Sequence, residues 1–193
     1  ATLWHWRDTK PYAIPPWDGL QTQKLVVIGE QGVGDEVFFA SCLPEAIKRA
    51  DEVLFECEQR LQSVFERAFA IKTVPSSFVD EADRRFRLKR DLPAGTTAWF
   101  PLADFPRFFR TSLKSFPGTP YLTALPDQIE RFKAYRGRVG VSWRGAQGVI
   151  PELMRIPGAL SLQYDVSWDE DIEAPESLDL RNDIEGILGL LAN

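Results

Sequence analysis

The stretch that begins at Lys24 constrains this chain most. KLVVIG is a short apolar run rich in β-branched residues, and it passes directly into EQGVGDE and then into VFFASCLPEAIKRA. An apolar run without alternation reads as a strand covered on both faces, as in a parallel sheet. The segment after the glycines reads as a helix that Pro44 kinks or restarts as a first-turn proline. The pattern then repeats: EVLFEC reads as a second strand. EQRLQSVFERAFA follows as an amphipathic helix with Leu61, Val64, Phe65, Ala68 and Phe69 at i, i+3, i+4, i+7 and i+8. IKTVP reads as a third strand. Strand and helix alternating through short links predict an α/β chain with a parallel sheet and right-handed crossovers.

Further on the pattern loosens. DEADRRFRLKRD (80–91) mixes four acids with five bases and reads as a solvated loop or helix face. TAWFPL reads as another strand, and LADFPRFFRTSLKSFPGTPYL as a long connection punctuated by prolines. Phe105, Phe108 and Phe109 in that connection read as packing residues. PDQIERFKAYRG is polar and helix-prone, and RVGVSWRG after it reads as a fresh strand ending in Arg-Gly. These shifts divide the chain into an N-terminal extension (1–23), a first domain (24–126), a linker (127–138) and a second domain (139–193). SLQYD reads as a short strand, and NDIEGILGLLAN as a closing helix with Asn182 or Asp183 as its N-cap. Only residues 146–193 follow Gly145, too few for an independent α/β core, so the second domain is expected to be partial.

Composition removes several function classes. The chain has 193 residues and a net charge of −5. Residues 165–185 hold nine acids and one base, Arg181, so that stretch is −8 and the remainder +3. A remainder so weakly basic argues against a duplex-DNA footprint, and no nucleic-acid partner is expected. No apolar run reaches the roughly 18 residues of a membrane span, and the start ATLWHWRDTK lacks the features of a secretory signal. Cys42 and Cys57, in apolar flanks, read as buried free thiols, which suits a reducing cytoplasm. The single histidine, His5, argues against a His-ligated metal centre or a Ser-His-Asp triad, and no metal is expected.

Two segments could carry chemistry. The first is Gly29-Glu-Gln-Gly32-Val-Gly34-Asp35, between strand and helix. Glycines let backbone turn tightly and let a ligand approach without a Cβ in the way. The helix start adds unpaired N–H groups and a positive dipole end, at the position where open α/β sheets bind ligands. The spacing is neither that of a dinucleotide fingerprint nor that of a P-loop. Asp35 reads either as a first-turn cap or as a general base kept ionised by the helix dipole. Gln31, Gly32 and Gly34 would line the same cavity. The second segment is Ser142-Trp143-Arg144-Gly145, where a guanidinium at a strand end suits phosphate or carboxylate oxygens.

PPWDG (15–19), GEQGVGDEVFFASCLPEAI (29–47), PYL (120–122), VGVSWRG (139–145) and SLQYD (161–165) occur together in that order. As an ordered set they resemble the glycosyltransferase-like domain that follows tetratricopeptide repeats in bacterial proteins, itself similar to the ADP-heptose:lipopolysaccharide heptosyltransferases. The resemblance implies the glycosyltransferase-B fold: a Rossmann-like three-layer α/β/α domain with a parallel sheet on the acceptor side, and a second Rossmann-like domain on the nucleotide-sugar side. It implies metal-independent, inverting transfer of a sugar from a nucleotide-sugar to an acceptor hydroxyl on a sugar or protein, with the donor as substrate and no cofactor. Asp35 matches the family's base. Ser142, Trp143, Arg144, Gly145 and, with Leu162, Gln163 match the donor side. The family continues past the helix matching NDIEGILGLLAN into a strand and a His-Leu-Ala-Gly-like loop, whereas this sequence ends at Asn193, so its second domain reads as truncated. The other reading is a non-catalytic module, derived from such an enzyme, that binds a sugar, a nucleotide or a protein.

Overall fold

A computed structural model describes the chain except residues 1–11, 31, 77, 82–83, 88–90, 142–143, 146–147, 150–155, 163–175 and 181; of residues 78–81, 84–87, 144–145 and 148–149 it describes the backbone. The chain divides into two compact units, Ala1–Leu122 and Thr123–Asn193.

The first unit is built on β1 (Thr22–Ile28), β2 (Ala50–Cys57), β3 (Lys72–Pro75) and β6 (Ala98–Pro101), ordered β3-β2-β1-β6 and parallel throughout. α1 (Val33–Ala40) and α2 (Leu43–Ile47) link β1 to β2, and α3 (Gln62–Phe69) links β2 to β3. Pro44 restarts the chain as α2 in its first turn, where a missing N–H costs no helix bond. The unit is thus an α/β structure whose strand order is compatible with the first half of a Rossmann-like sheet.

Strand alternation assigns the core to two faces. Val27, Phe55 and Phe100 are in register on one face. There the ring of Phe55 lies 5.2 Å from that of Phe65 on α3, and Phe100 meets Trp17, Phe105 and Phe108. Val26, Ile28, Leu54 and Trp99 form the other face and are covered by Tyr12, Ile14, Val74 and Leu92. Among the described residues no helix joins β3 to β6. A hairpin of β4 (Phe78–Glu81) and β5 (Arg84–Arg87) occupies that connection. The third layer of the expected α/β/α sandwich is therefore not found there. The segment 80–91, expected as a solvated loop or helix face, contributes antiparallel strands instead. Its charges conceal any period that would have marked them.

The N-terminal extension is part of this unit. Pro16 bridges to Trp99 along the outer edge of β6, and Trp17, 3% exposed, packs among Phe105, Phe108 and Phe109. Its indole N–H donates to the Leu20 carbonyl at 2.7 Å. Gly19 turns the chain at φ +89° with Phe108 against it, a backbone region that favours glycine. After β6, Phe105 and the α4 helix that follows it (Pro106–Phe109) supply the phenylalanines, which pack as the sequence suggests.

The second unit holds α5 (Pro126–Arg131), β7 (Gly140–Val141), β8 (Arg144–Gly145), β9 (Gly148–Val149), β10 (Leu160–Ser161), β11 (Glu176–Ser177) and α6 (Ile184–Leu191). β11, β10 and β7 form a parallel sheet in that order. The segment 127–138, read from sequence as a linker, carries most of α5 and a 3-10 turn. α5 lies so close to α6 that a Cβ on Gly189 would fall 2.6 Å from the Gln128 backbone. The described residues of RVGVSWRG fall in two short strands, β7 and β8, and Arg144–Gly145 pairs antiparallel with Gly148–Val149. Asp183 caps α6 by accepting from the Gly186 amide at 2.8 Å.

Candidate functional site

In the first unit the chain leaves β1 toward β2 on one side, while β6 lies on the other. The exits of β1 and β6 therefore flank the point where the strand order reverses, the place where open parallel sheets bind ligands. Glu30 ties the two exits together, its Oε1 accepting from the Ala103 amide at 3.0 Å.

The glycine turn occupies this point. Gly32 is the N-cap of α1, in extended backbone, and its carbonyl accepts from the Glu36 amide at 3.0 Å. Gly34 and Asp35 are exposed. A Cβ on Gly34 would meet nothing within 4 Å, whereas one on Gly32 would lie 3.1 Å from Asp35 Oδ2. The Asp35 carboxylate thus stands over the first helical turn, open to solvent and next to bare backbone. Gln31 lies outside the described residues.

The acid after Asp35 behaves differently. Glu36 is fully buried. Its Oε2 accepts from the Glu58 amide at 2.8 Å, and its Oε1 is buried without a hydrogen-bond partner. A Cβ on Gly29 would lie 2.4 Å from that oxygen and 2.4 Å from the Glu56 carbonyl, so residue 29 has room only for glycine. Burial pushes the Glu36 carboxyl up to about 8. The Glu58 and Glu30 backbone amides pull the other way; the Glu58 and Glu30 carboxylates add to the rise. Sequence reading missed both Glu30 and Glu36. A run of acids around a glycine turn was the visible signal, but only the depth of each side chain separates their roles.

Ser142, Trp143 and Gln163 lie outside the described residues, and Arg144 and Gly145 are placed as backbone in β8. Topology says where their chain begins. β7 and β10 are parallel neighbours, Leu160 opposite Gly140 and Ser161 opposite Val141, and the Leu162 amide donates to the Val141 carbonyl at 3.0 Å. The chain leaves both strands at one edge of the sheet, entering 142–145 from β7 and 163 from Leu162. Leu162 itself packs on Gly140, 3.1 Å from where a Cβ would stand.

A cavity of about 410 Å³ opens on the outer flank of β6, lined by Tyr12, Ile14, Pro16, Trp99, Pro101 and Arg107 among others. Cys42 and Cys57 are buried and free, with burial pushing both thiols up, which leaves them poor nucleophiles. Among the described residues no group of three or more His, Cys, Asp or Glu is placed to hold a metal, and no helix is long and apolar enough to cross a membrane.

Fold and site together define an α/β chain with an open glycine turn and an exposed acid at the reversal point of a parallel sheet. The chain is similar to Protein FlbA of Caulobacter vibrioides, with 26% identity over 226 residues, covering 96% of this chain and 38% of that protein. It spans about two fifths of that relative's length. No family model matches the chain, and no solved structure matches it.

Proposed function

We propose that this chain is a glycosyltransferase-like protein of the glycosyltransferase-B type, related to the heptosyltransferases and to the transferase domains that follow tetratricopeptide repeats. In this reading it moves a sugar from a nucleotide-sugar to an acceptor hydroxyl. The observation that carries the reading is the turn at 32–35. It holds a solvent-open carboxylate beside backbone with no side chain in the way, at the reversal point of a parallel sheet. A general base needs an ionised group within reach of the hydroxyl it deprotonates, and Gly34 leaves space for that hydroxyl. Asp35 is the base, with Gln31, Gly32 and Gly34 around the acceptor. Ser142, Trp143, Arg144, Gly145 and Gln163 hold the donor, since the chain enters both segments from one sheet edge. The guanidinium of Arg144 would match diphosphate oxygens.

Incubation with UDP-, GDP- and ADP-sugars tests this, with thermal shift for binding and mass spectrometry for sugar release or transfer. At least one donor should raise the melting temperature, because a ligand that binds the folded state stabilises it. Asp35→Asn should lower turnover by about 10²- to 10⁴-fold while the melting temperature and donor binding persist. Full turnover in that variant would overturn the base assignment. Binding without turnover in the wild type would favour the non-catalytic module, and no stabilisation by any donor would count against both.

A further inference from the structure

The burial of Glu36 has no part in the chemistry above, yet it fixes the turn that chemistry uses. Its carboxyl sits where the exits of β1 and β2 meet. Oε2 holds the Glu58 amide, Oε1 presses on Gly29, and the Gly29 amide donates to the Glu56 carbonyl at 2.7 Å beside them. One side chain, a single residue from Asp35, thus bonds the β2 exit and lies where any side chain at Gly29 on the β1 exit would have to stand.

Apart from the Glu58 and Glu30 amides, which favour its charge, the groups around this carboxyl offer no countercharge: the neighbouring carboxylates oppose a charge and the Cys57 thiol is neutral. On the β1 side stands Glu30, on the β2 side Glu58 and the Cys57 thiol, and on its own helix Asp35 precedes it. The Glu58 carboxylate is engaged by Arg60 at 3.0 Å, and no described cation reaches Glu36 in an ion pair. A fully buried carboxylate with one oxygen unpartnered and acids around it is a costly arrangement, and the neutral acid costs less.

We propose that Glu36 is the positioning residue of the glycine turn and works as the neutral acid, so that loss of its proton releases Gly29 and the first turn of α1 and switches the site off. The switch rests on the reading of that turn as the acceptor-side site. The sign follows from linkage. A carboxyl held at about 8 when folded ionises far lower in the unfolded chain, so its contribution is complete below the unfolded value, drains as pH rises from there, and is gone once pH has passed about 8.

The experiment uses the full chain, as wild type and as Glu36→Gln, between pH 6 and 9.5. Infrared spectra of protein carrying ¹³C-labelled glutamate should show a neutral-acid carbonyl band at pH 7 that Glu36→Gln lacks. Amide exchange, corrected for its intrinsic pH dependence, should show protection at Gly29 and Glu58 falling about tenfold per pH unit from about pH 6 toward 8 in the wild type and levelling off above that. The glutamine variant should keep that protection at every pH, and its melting temperature should stay flat where the wild type falls by about 5 °C. Absence of the neutral band at pH 7 overturns the proposal. So does wild-type protection that ignores pH, or a glutamine variant whose turn is loose throughout. If that variant fails to fold, the wild-type spectrum and exchange profile still decide. None of these measurements uses sugar transfer. A failure of Asp35→Asn to affect turnover would therefore sink the catalytic reading while leaving the Glu36 result to stand or fall by itself.

Discussion

Arg110 donates from one guanidinium nitrogen to Glu45 and to the Phe109 carbonyl, and from the other to the Ser41 carbonyl at 2.7 Å. Its side chain is 2% exposed, while that of Glu45 is 34% exposed. One planar fork thus joins the α1–α2 junction to the end of α4, and the Phe116 ring lies under it at 5.8 Å. A lysine cannot reproduce that fork, and removing the cation leaves carbonyls and a carboxylate without their donor. Arg110→Ala should cost about 3 kcal/mol in urea unfolding, and Arg110→Lys should recover only part of it. At this scale the sequence was legible where a residue's job is local. A cap at Asn182 or Asp183, which the structure resolves to Asp183, and Cys42 and Cys57 as buried thiols follow from their neighbours in the chain. It was illegible where the partner is distant: nothing in LADFPRFFR shows that its last arginine closes on Glu45, and nothing in GDE shows which acid is buried.

At the scale of elements, the same contrast separates what packs by period from what packs by insertion. β1, β2 and α3 carry their burial in their spacing. The PPWDG segment has no period, yet its Trp17 is the centre of the aromatic layer on the helical face, with ring centroids of Phe100, Phe105 and Phe108 at 5.9, 5.7 and 5.6 Å. Trp17→Ala should therefore cost about 3–5 kcal/mol, as large as any helix-core truncation, and chemical denaturation measures it. The α5–α6 pair depends on small groups instead. Asp183 caps α6 and also pairs with Arg131 of α5 at 2.6 Å. Burial alone would raise the Asp183 carboxyl, but the Gly186 amide and the Arg131 guanidinium hold it below its ordinary value. A depressed carboxyl stabilises above its unfolded value and loses that contribution as pH falls through the folded one. Asp183→Ala should cost about 1 kcal/mol at pH 7 and nothing once the pH is below both values. Parallel urea titrations at pH 7 and in strong acid, with a variant at a neutral surface site as control, would show whether the difference vanishes.

The two units are built on parallel sheets of very different reach. In the first unit β1 and β2 run for seven and eight residues, with Leu25, Val27 and Phe55 wholly buried between them and their cover. In the second, β7, β10 and β11 each span two residues, and the buried apolar residues among those described are Phe132, Val141, Ala159, Leu160 and Leu180. Such ladders hold few hydrogen bonds against the entropy of ordering their connections, which costs roughly 1–2 kcal/mol per residue. The disparity also explains why the chain's first half could be read from its sequence and its second half only in outline. Long strands imprint a pattern on several consecutive residues, while a two-residue strand takes its identity from the neighbour it pairs with. If stability follows the same division, unfolding is not two-state. Native-state hydrogen exchange across low urea should then find the slowest amides in β1 and β2, and those of β7, β10 and α6 opening at a free energy lower by about 2 kcal/mol or more. Far-UV dichroism should lose amplitude in two steps. Amides of both units converging on one free energy and one urea slope would instead mean that the short sheet is held by something beyond its own contacts, and the two units would have to be treated as one cooperative body.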